Sequence, residues 1–225
     1  MIRIVGLLML LPLSYAAAQT LSPLPTETME LIHEARALDP EFSADSLLRL
    51  AGARLIADPI WKRQLIEEAF KAGARAPLPY RKTGEETTDA RASRAYWNNG
   101  LEALTLQIRA VEAMLEMDPQ RARSMFEEIQ TPEVPALTCQ ETGAPILSAY
   151  YETASRIVER GFTAEQRGNL QHIHFLERVI AQMQSPPHVT PTVKLIFKVP
   201  VTADERQELV AAFAGMLPRR HVVMK

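Results

Sequence analysis

The sequence predicts an all-α protein. Apolar residues recur at intervals of three and four in most segments between prolines, and the β-branched alternation typical of strands is nearly absent. Only 9 glycines occur in 225 residues, which leaves little turn material for a sheet. We therefore expect antiparallel helical hairpins that form either a short α-solenoid or an irregular helical bundle.

The first 18 residues predict a cleaved secretory signal peptide. A basic start at Arg3 is followed by the apolar run 4–13 and by small residues at 16–18, the layout of an export signal. The apolar run is about half as long as a membrane-spanning helix. We expect cleavage between Ala18 and Gln19, a single all-α domain over 19–225, and a periplasmic or extracellular location.

Composition and charge narrow the class of protein. A hydrophobic fraction of 47% and a charged fraction of 23% are typical of a globular domain. The formal net charge of −2 predicts no nucleic-acid partner. Cys139 is the only cysteine, so no disulfide can form within the chain. We expect a semi-buried thiol, with an intermolecular bridge or a reactive thiol as the alternatives.

Three helices are predicted in the first third of the chain, at 27–38, 40–55 and 59–71. Each has an apolar face whose residues are three and four positions apart. These faces are Leu31, Ile32, Ala35 and Leu38 in the first helix, Leu47, Leu48 and Ala51 in the second, and Leu65, Ile66, Ala69 and Phe70 in the third.

An Asp-Pro pair precedes three of the predicted helices, at Asp39, Asp58 and Asp118. The carboxylate can accept a hydrogen bond from an unpaired amide of the first turn, and proline has no amide hydrogen to leave unpaired. Proline also disfavours the α conformation in the residue before it, so the preceding helix ends there. We predict that each aspartate caps the helix that follows it.

Further helices are predicted in the rest of the chain. Their approximate bounds are 89–100, 101–117, 119–129, 146–160, 163–184 and 202–217. Thr163 and Thr202 each begin a capping box, whereas Val193–Val199 is predicted as a helix with a strand as the alternative. The proline-rich connector at 130–144 is a candidate subdomain boundary.

Around the third Asp-Pro pair, the stretch AVEAMLEMDPQRARSMFEEI (110–129) resembles part of a tetratricopeptide-type helical hairpin repeat. ARALDPEFSADSLLRLA (35–51) is a poorer match to the same pattern. The resemblance implies stacked helical hairpins with a concave face. The three Asp-Pro pairs are 19 and 60 residues apart, whereas such repeats recur every 34 residues, and a non-repeating bundle is the alternative.

The segment HIHFLE (172–177) is the densest group of potential metal ligands. On a helix, His172 and His174 point to different sides, whereas His174 and Glu177 lie three residues apart and could share a metal ion. The alternative is a half-buried structural His174. No second ligand pair has a matching spacing, so we expect no metal and no cofactor.

Four aromatic residues are candidates for contact with a ligand or partner, with core filling as the alternative. They lie near helix breaks or helix starts, where a bound molecule could reach them. They are Tyr96, Trp97, Tyr150 and Tyr151.

The motifs of known enzyme classes are missing, and we assign no catalytic residue. The sequence has no Gly-x-Ser-x-Gly, no phosphate-binding glycine loop and no His-Glu-x-x-His. We predict a helical scaffold or binding protein whose partner is another envelope protein or a peptide, and which does not span the membrane after signal cleavage. The alternative is a hydrolase or lyase that acts on an envelope polymer through acid and base residues scattered along the chain.

Overall fold

The computed structural model describes residues 23–76, 100–131, 147–183 and 185–217. This part of the chain forms α-helices, one short 3-10 helix at Pro186–His188 and no strand, which confirms the all-α prediction. The helices are α1 Thr26–Ala37, α2 Pro40–Gly52, α3 Pro59–Gly73, α4 Ala103–Leu115, α5 Pro119–Glu127, α6 Leu147–Arg160, α7 Ala164–Gly168, α8 Gln171–Ala181, α9 Val189–Lys198 and α10 Ala203–Met216.

Several predictions lie outside the described residues. They are the signal peptide, the helix at 89–100 and most of the proline-rich connector, including Cys139. Within the described part, no helix combines the length and the apolar character needed to cross a bilayer.

Helices adjacent in the chain pack against one another through the first half of the described structure. α1 packs on α2, α2 on α3, and α4 on both α2 and α3, while α5 packs on α4. α6 then joins the two halves, because it contacts α4 and α5 on one side and α8 and α9 on the other. α10 closes the second half against α8 and α9.

The predicted apolar faces form the core. Leu65, Ile66 and Ala69 of α3 are buried, as are the residues at the same offsets after Pro119, namely Met125, Phe126 and Ile129. The first helix differs, since Ile32 is fully buried whereas Leu31 and Leu38 are 47% and 48% exposed. α1 packs mainly on α2, which covers one narrow side of the helix and leaves these two leucines in solvent.

Aromatic rings connect α5, α6 and α8. Phe126 stacks on Tyr150 with ring centroids 4.6 Å apart, and it meets Phe175 at 5.6 Å. Tyr150 and Tyr151 are in edge contact at 5.2 Å. Such pairs are favourable beyond the area they bury, so this cluster fixes the position of α6.

Two of the three predicted aspartate caps are present. The carboxylate of Asp58 accepts a hydrogen bond from the backbone N–H of Ile60 at 2.8 Å, and that of Asp118 accepts one from Arg121 at 3.0 Å. The prediction for Asp39 is wrong, because its side chain makes no capping bond. Proline at the first position and the ordinary backbone bond from Ser43 N–H to the Asp39 carbonyl, at 2.8 Å, start α2 without it.

The single long helix predicted at 163–184 is wrong, because it is divided into α7 and α8. Leu170 has a φ of 55° and is the one non-glycine residue in the described part with a positive φ. Gly168 and Asn169, both poor helix formers, precede it. α8 restarts at once, since the Leu170 carbonyl accepts hydrogen bonds from the backbone of Ile173 and His174.

The structure decides between helix and strand at residues 193–199 and tests the two predicted capping boxes. Val193–Lys198 lies within α9, so the strand alternative is wrong. Both predicted capping boxes are confirmed: the hydroxyls of Thr163 and Thr202 accept from the backbone three residues later, and the returning side-chain bonds are also present.

Candidate functional site

A groove runs between α6 and α9, with a cavity volume of about 400 Å³. Its lining alternates between exposed residues at the mouth and buried residues at the floor. The lining residues are Leu147, Ser148, Tyr151, Glu152 and Ser155 from α6, and Pro187, Thr190, Pro191, Lys194, Leu195 and Lys198 from the α9 side. We call this cavity the α6–α9 groove.

Helical periodicity explains which residues face the α6–α9 groove. On both sides the lining positions are three and four residues apart, so each set forms one stripe on its helix. Pro187 lies in the 3-10 helix that leads into α9, and Pro191 lies in the first turn of α9. A first-turn amide has no partner within its own helix, so proline is tolerated there.

Beneath the groove, a buried polar network holds the 3-10 helix against α6. The Tyr151 hydroxyl and His188 Nδ1 are 2.9 Å apart and share a hydrogen bond, and the Thr192 hydroxyl donates to the His188 carbonyl at 2.7 Å. All three side chains are buried. Burial raises the pKa of Tyr151, so its hydroxyl stays neutral at physiological pH.

Among the described residues that line the groove, Ser155 has the one buried side-chain polar atom without a hydrogen-bond partner. The side chain is fully buried, it lines the groove, and its Oγ has no hydrogen-bond partner among the described residues. A buried polar atom without a partner costs about 1–3 kcal/mol. Such groups are uncommon in folded proteins, and this one is placed where a bound molecule could satisfy it.

The mouth of the α6–α9 groove carries charges that form no ion pair with another described residue. Lys194, Lys198 and Glu152 are all exposed, and none forms an ion pair within the described residues. Elsewhere ion pairing is common, and the arginines that form ion pairs include Arg36, Arg49, Arg63, Arg109, Arg121, Arg156, Arg160 and Arg178. Among the described lining residues, two ammonium groups and one carboxylate are therefore placed to meet a ligand.

A second cavity, of about 300 Å³, lies between α2 and α4. The charged residues that line it already form ion pairs with residues outside the lining. Arg49 and Arg109 each pair with Asp45 at 2.7 Å, and Glu112 pairs with Arg156 at 2.8 Å. This cavity therefore offers a ligand fewer available charges than the α6–α9 groove.

The expectation of a half-buried His174 is wrong, and the buried histidine of this segment is His172. His172 is buried, with its Nε2 3.4 Å from an Oε of Glu205 in α10, whereas His174 is exposed rather than half-buried. His174 faces solvent because α8 turns its apolar face, with Ile173 and Leu176, toward the core. Among the described residues, no group of three or more His, Cys, Asp or Glu side chains could hold a metal ion. The candidate pair His174 and Glu177 therefore has no third ligand among them.

Opposing influences act on the His172–Glu205 pair. Burial lowers the pKa of His172, and the Glu205 carboxylate partly offsets this effect. The pKa of Glu205 is lowered, chiefly by the hydrogen bond from the Thr202 backbone. Neither residue lines either of the two cavities described above, so the pair joins α8 to α10 without contacting bound molecules there.

The four aromatic candidates are placed as follows. Tyr150 is fully buried, with its hydroxyl 2.9 Å from Gln182 Oε1, and therefore fills the core. Tyr151 is also buried but forms part of the groove lining, so its contact with a ligand stays a prediction. Tyr96 and Trp97 lie outside the described residues.

Sequence reasoning missed Ser155, His188 and Thr192. A signal for Ser155 was present: it lies one turn after Tyr151 and is followed three residues later by the apolar Val158, so the spacing places it with buried residues of α6. The hydroxyl of a small polar residue in such a position either forms a hydrogen bond within the core or faces a cavity. His188 gave no comparable signal, because its partner Tyr151 lies 37 residues away in the chain. Thr192 gave none either, because its bond to the His188 carbonyl four residues earlier is one that threonine can make in any helix.

Comparisons of the chain with protein-family models, with curated proteins and with solved structures find no match. The chemistry of the α6–α9 groove is therefore the guide to function.

Proposed function

We propose that this protein is a non-catalytic helical binding protein and that the α6–α9 groove is its binding site. The observation that carries the proposal is the buried Ser155 hydroxyl, which lines the groove and has no partner among the described residues. A volume of about 400 Å³ is within the usual range for small-molecule sites. The groove thus combines sufficient space with a polar group that a ligand would satisfy.

The arrangement of polar groups favours binding over catalysis. Nucleophilic catalysis needs a nucleophile, a base within hydrogen-bond reach and a third group that orients the base. In the groove, His188 Nδ1 is engaged by the Tyr151 hydroxyl, and the Ser155 hydroxyl bonds to no base among the described residues. These groups hold the floor in place and leave one hydroxyl to contact a ligand.

A hydrolase or lyase of an envelope polymer is the second candidate. One observation favours it: His172 and Glu205 bring a histidine and a carboxylate together from two different helices. General acid–base catalysis also needs access to substrate, but His172 is buried and neither residue of the pair lines either cavity. The binding role therefore accounts for more of the structure.

We place this binding protein in the periplasm or outside the cell, where an envelope protein or peptide could be its partner. The support is the arrangement of basic, apolar and small residues over 1–18. N-terminal sequencing of the protein recovered from the envelope fraction tests the location. A mature chain that begins at Gln19 supports export, and a chain that begins at Met1 in the cytosol contradicts it.

The binding site is tested by blocking the groove. Thr190 is exposed and lines the groove, whereas Phe197 is exposed on the same helix and does not line it. Thr190→Trp should fill the mouth, and Phe197→Trp is the matched control. Native mass spectrometry after incubation with a small-molecule envelope extract should show a component retained by the wild type and the control and lost by Thr190→Trp. Equal retention by both variants, or none by the wild type, contradicts the proposal.

A further inference from the structure

We infer that the α6–α9 groove binds a single carboxylate attached to an apolar body. This inference rests on the proposed binding function and adds the chemical class of the ligand. Three features of the groove support it: two lysines without an ion pair among the described residues, an apolar wall, and a floor hydroxyl without a hydrogen-bond partner among those residues.

The two lysines favour an anion. Lys194 and Lys198 are four residues apart on α9, so they project from the same face and both line the groove. Like charges at this spacing repel each other, and no acidic side chain among the described residues pairs with either one. An anion placed beside both ammonium groups relieves this repulsion.

Glu152 limits the charge that the ligand can carry. It is the one carboxylate among the described lining residues, and with the two lysines it gives those residues a net charge of +1. A ligand with one negative charge neutralises this net charge, whereas a doubly charged phosphate would leave an excess of negative charge. The site therefore favours a monocarboxylate.

The rest of the lining favours an apolar body with a polar end. Leu147, Leu195, Pro187 and Pro191 line the groove without side-chain hydrogen-bonding groups. A ligand that packs its apolar surface against these residues removes that surface from water, which contributes to the binding free energy. The Ser155 hydroxyl can donate to a carboxylate oxygen, and a hydrogen bond to a charged group is stronger than one between neutral groups.

Three probes of equal length test the inference: octanoate, octanamide and octylamine. Their dissociation constants are measured by NMR titration of the purified protein at low ionic strength. We expect octanoate to bind about tenfold more tightly than octanamide, equivalent to about 1.4 kcal/mol, and octylamine to bind most weakly. In the double variant Lys194→Met/Lys198→Met the ratio of octanoate to octanamide affinity should fall to about one or below, because Glu152 then leaves the described lining with a net negative charge. Lys71→Met, an exposed lysine of α3, should preserve the ratio.

The outcomes separate the inference from the function on which it rests. The inference that the ligand carries a carboxylate is overturned if octanoate and octanamide bind with equal affinity, or if octylamine binds more tightly than octanoate. If no octyl probe binds while the groove still retains an extract component that Thr190→Trp loses, the ligand class is wrong and the binding function stands. If no octyl probe binds and the groove retains no extract component, both the inferred ligand class and the proposed binding function are wrong.

The carboxylate could belong to a free organic acid or to the C-terminus of a peptide. A peptide that ends in leucine, prepared with a free and with an amidated C-terminus, distinguishes these sources. A preference for the free C-terminus at least as large as that for octanoate identifies a peptide terminus. Binding of octanoate alone identifies a small organic acid.

Discussion

Replacing the cap of α5 should destabilise the protein by an amount that the structure allows us to estimate. Asp118 accepts a hydrogen bond from the Arg121 backbone at 3.0 Å and also meets Arg63 at 3.3 Å. Loss of an N-cap costs about 1 kcal/mol. The ion pair, with half of the Arg63 side chain exposed, adds at most about 0.5 kcal/mol after screening by solvent. Asp118→Ala should therefore lower the free energy of unfolding by about 1–1.5 kcal/mol.

Two further variants separate these contributions. Asp118→Asn keeps a capping oxygen and removes the charge, so it should lose about 0.5 kcal/mol or less. Asp39→Ala removes an aspartate of the same Asp-Pro type whose side chain makes no capping bond, and it should change stability by at most a few tenths of a kcal/mol.

Urea denaturation followed by circular dichroism measures all three variants, with the midpoint and the slope compared to those of the wild type. The reasoning is refuted if Asp39→Ala costs as much as Asp118→Ala, because the presence of a capping bond would then not set the effect. Folded Asp118→Ala should retain any groove binding. Loss of binding without loss of stability would show that Asp118 belongs to a functional site.

Three other changes test separate features of the fold. Leu170→Ile should cost about 1 kcal/mol or more in urea unfolding, because a β-branched residue is disfavoured at positive φ, whereas Leu55→Ile, of similar exposure, should cost far less. Tyr150→Phe leaves Gln182 Oε1 without its Tyr150 donor and should cost about 1 kcal/mol. Burial lowers the pKa of His172 in the folded protein. The neutral histidine therefore contributes its full stability above the unfolded pKa of about 6.5. That stability is lost as the pH falls from this value toward the folded pKa. The drop in unfolding free energy between about pH 7.5 and pH 5 should be smaller in His172→Gln, and an unchanged drop would refute this assignment.

The local features of the fold could be predicted from the sequence because their causes are local. The capping boxes at Thr163 and Thr202 depend on residues three positions apart. The buried faces of α3 and α5 follow from apolar spacing, which a helix converts directly into one side. Much of the secondary structure and of the core could therefore be predicted from the sequence alone.

The break at Leu170 shows where periodicity misleads. Apolar residues continue through the junction, so the pattern predicts one helix, although Gly168 and Asn169 weaken it locally. Asp39 shows a similar limit, since an Asp-Pro pair permits a cap but the side-chain rotamer determines whether the bond forms. Such outcomes depend on energy differences too small to read from residue type.

The candidate site could not be predicted because tertiary packing creates it. Tyr151 and His188 are 37 residues apart, yet their side chains share a hydrogen bond. The α6–α9 groove exists because α6, held by the Phe126–Tyr150 stack, lies beside α9. No spacing rule connects Ser155 with Lys194.

The central claim, that the α6–α9 groove is the binding site, is tested most directly by mapping where octanoate binds. In ¹H–¹⁵N spectra recorded during the titration, the largest amide shifts should occur at Tyr151, Ser155, Lys194 and Lys198, and Thr190→Trp should abolish them. Shifts confined to α1–α3, or shifts that persist unchanged in Thr190→Trp, would contradict the claim.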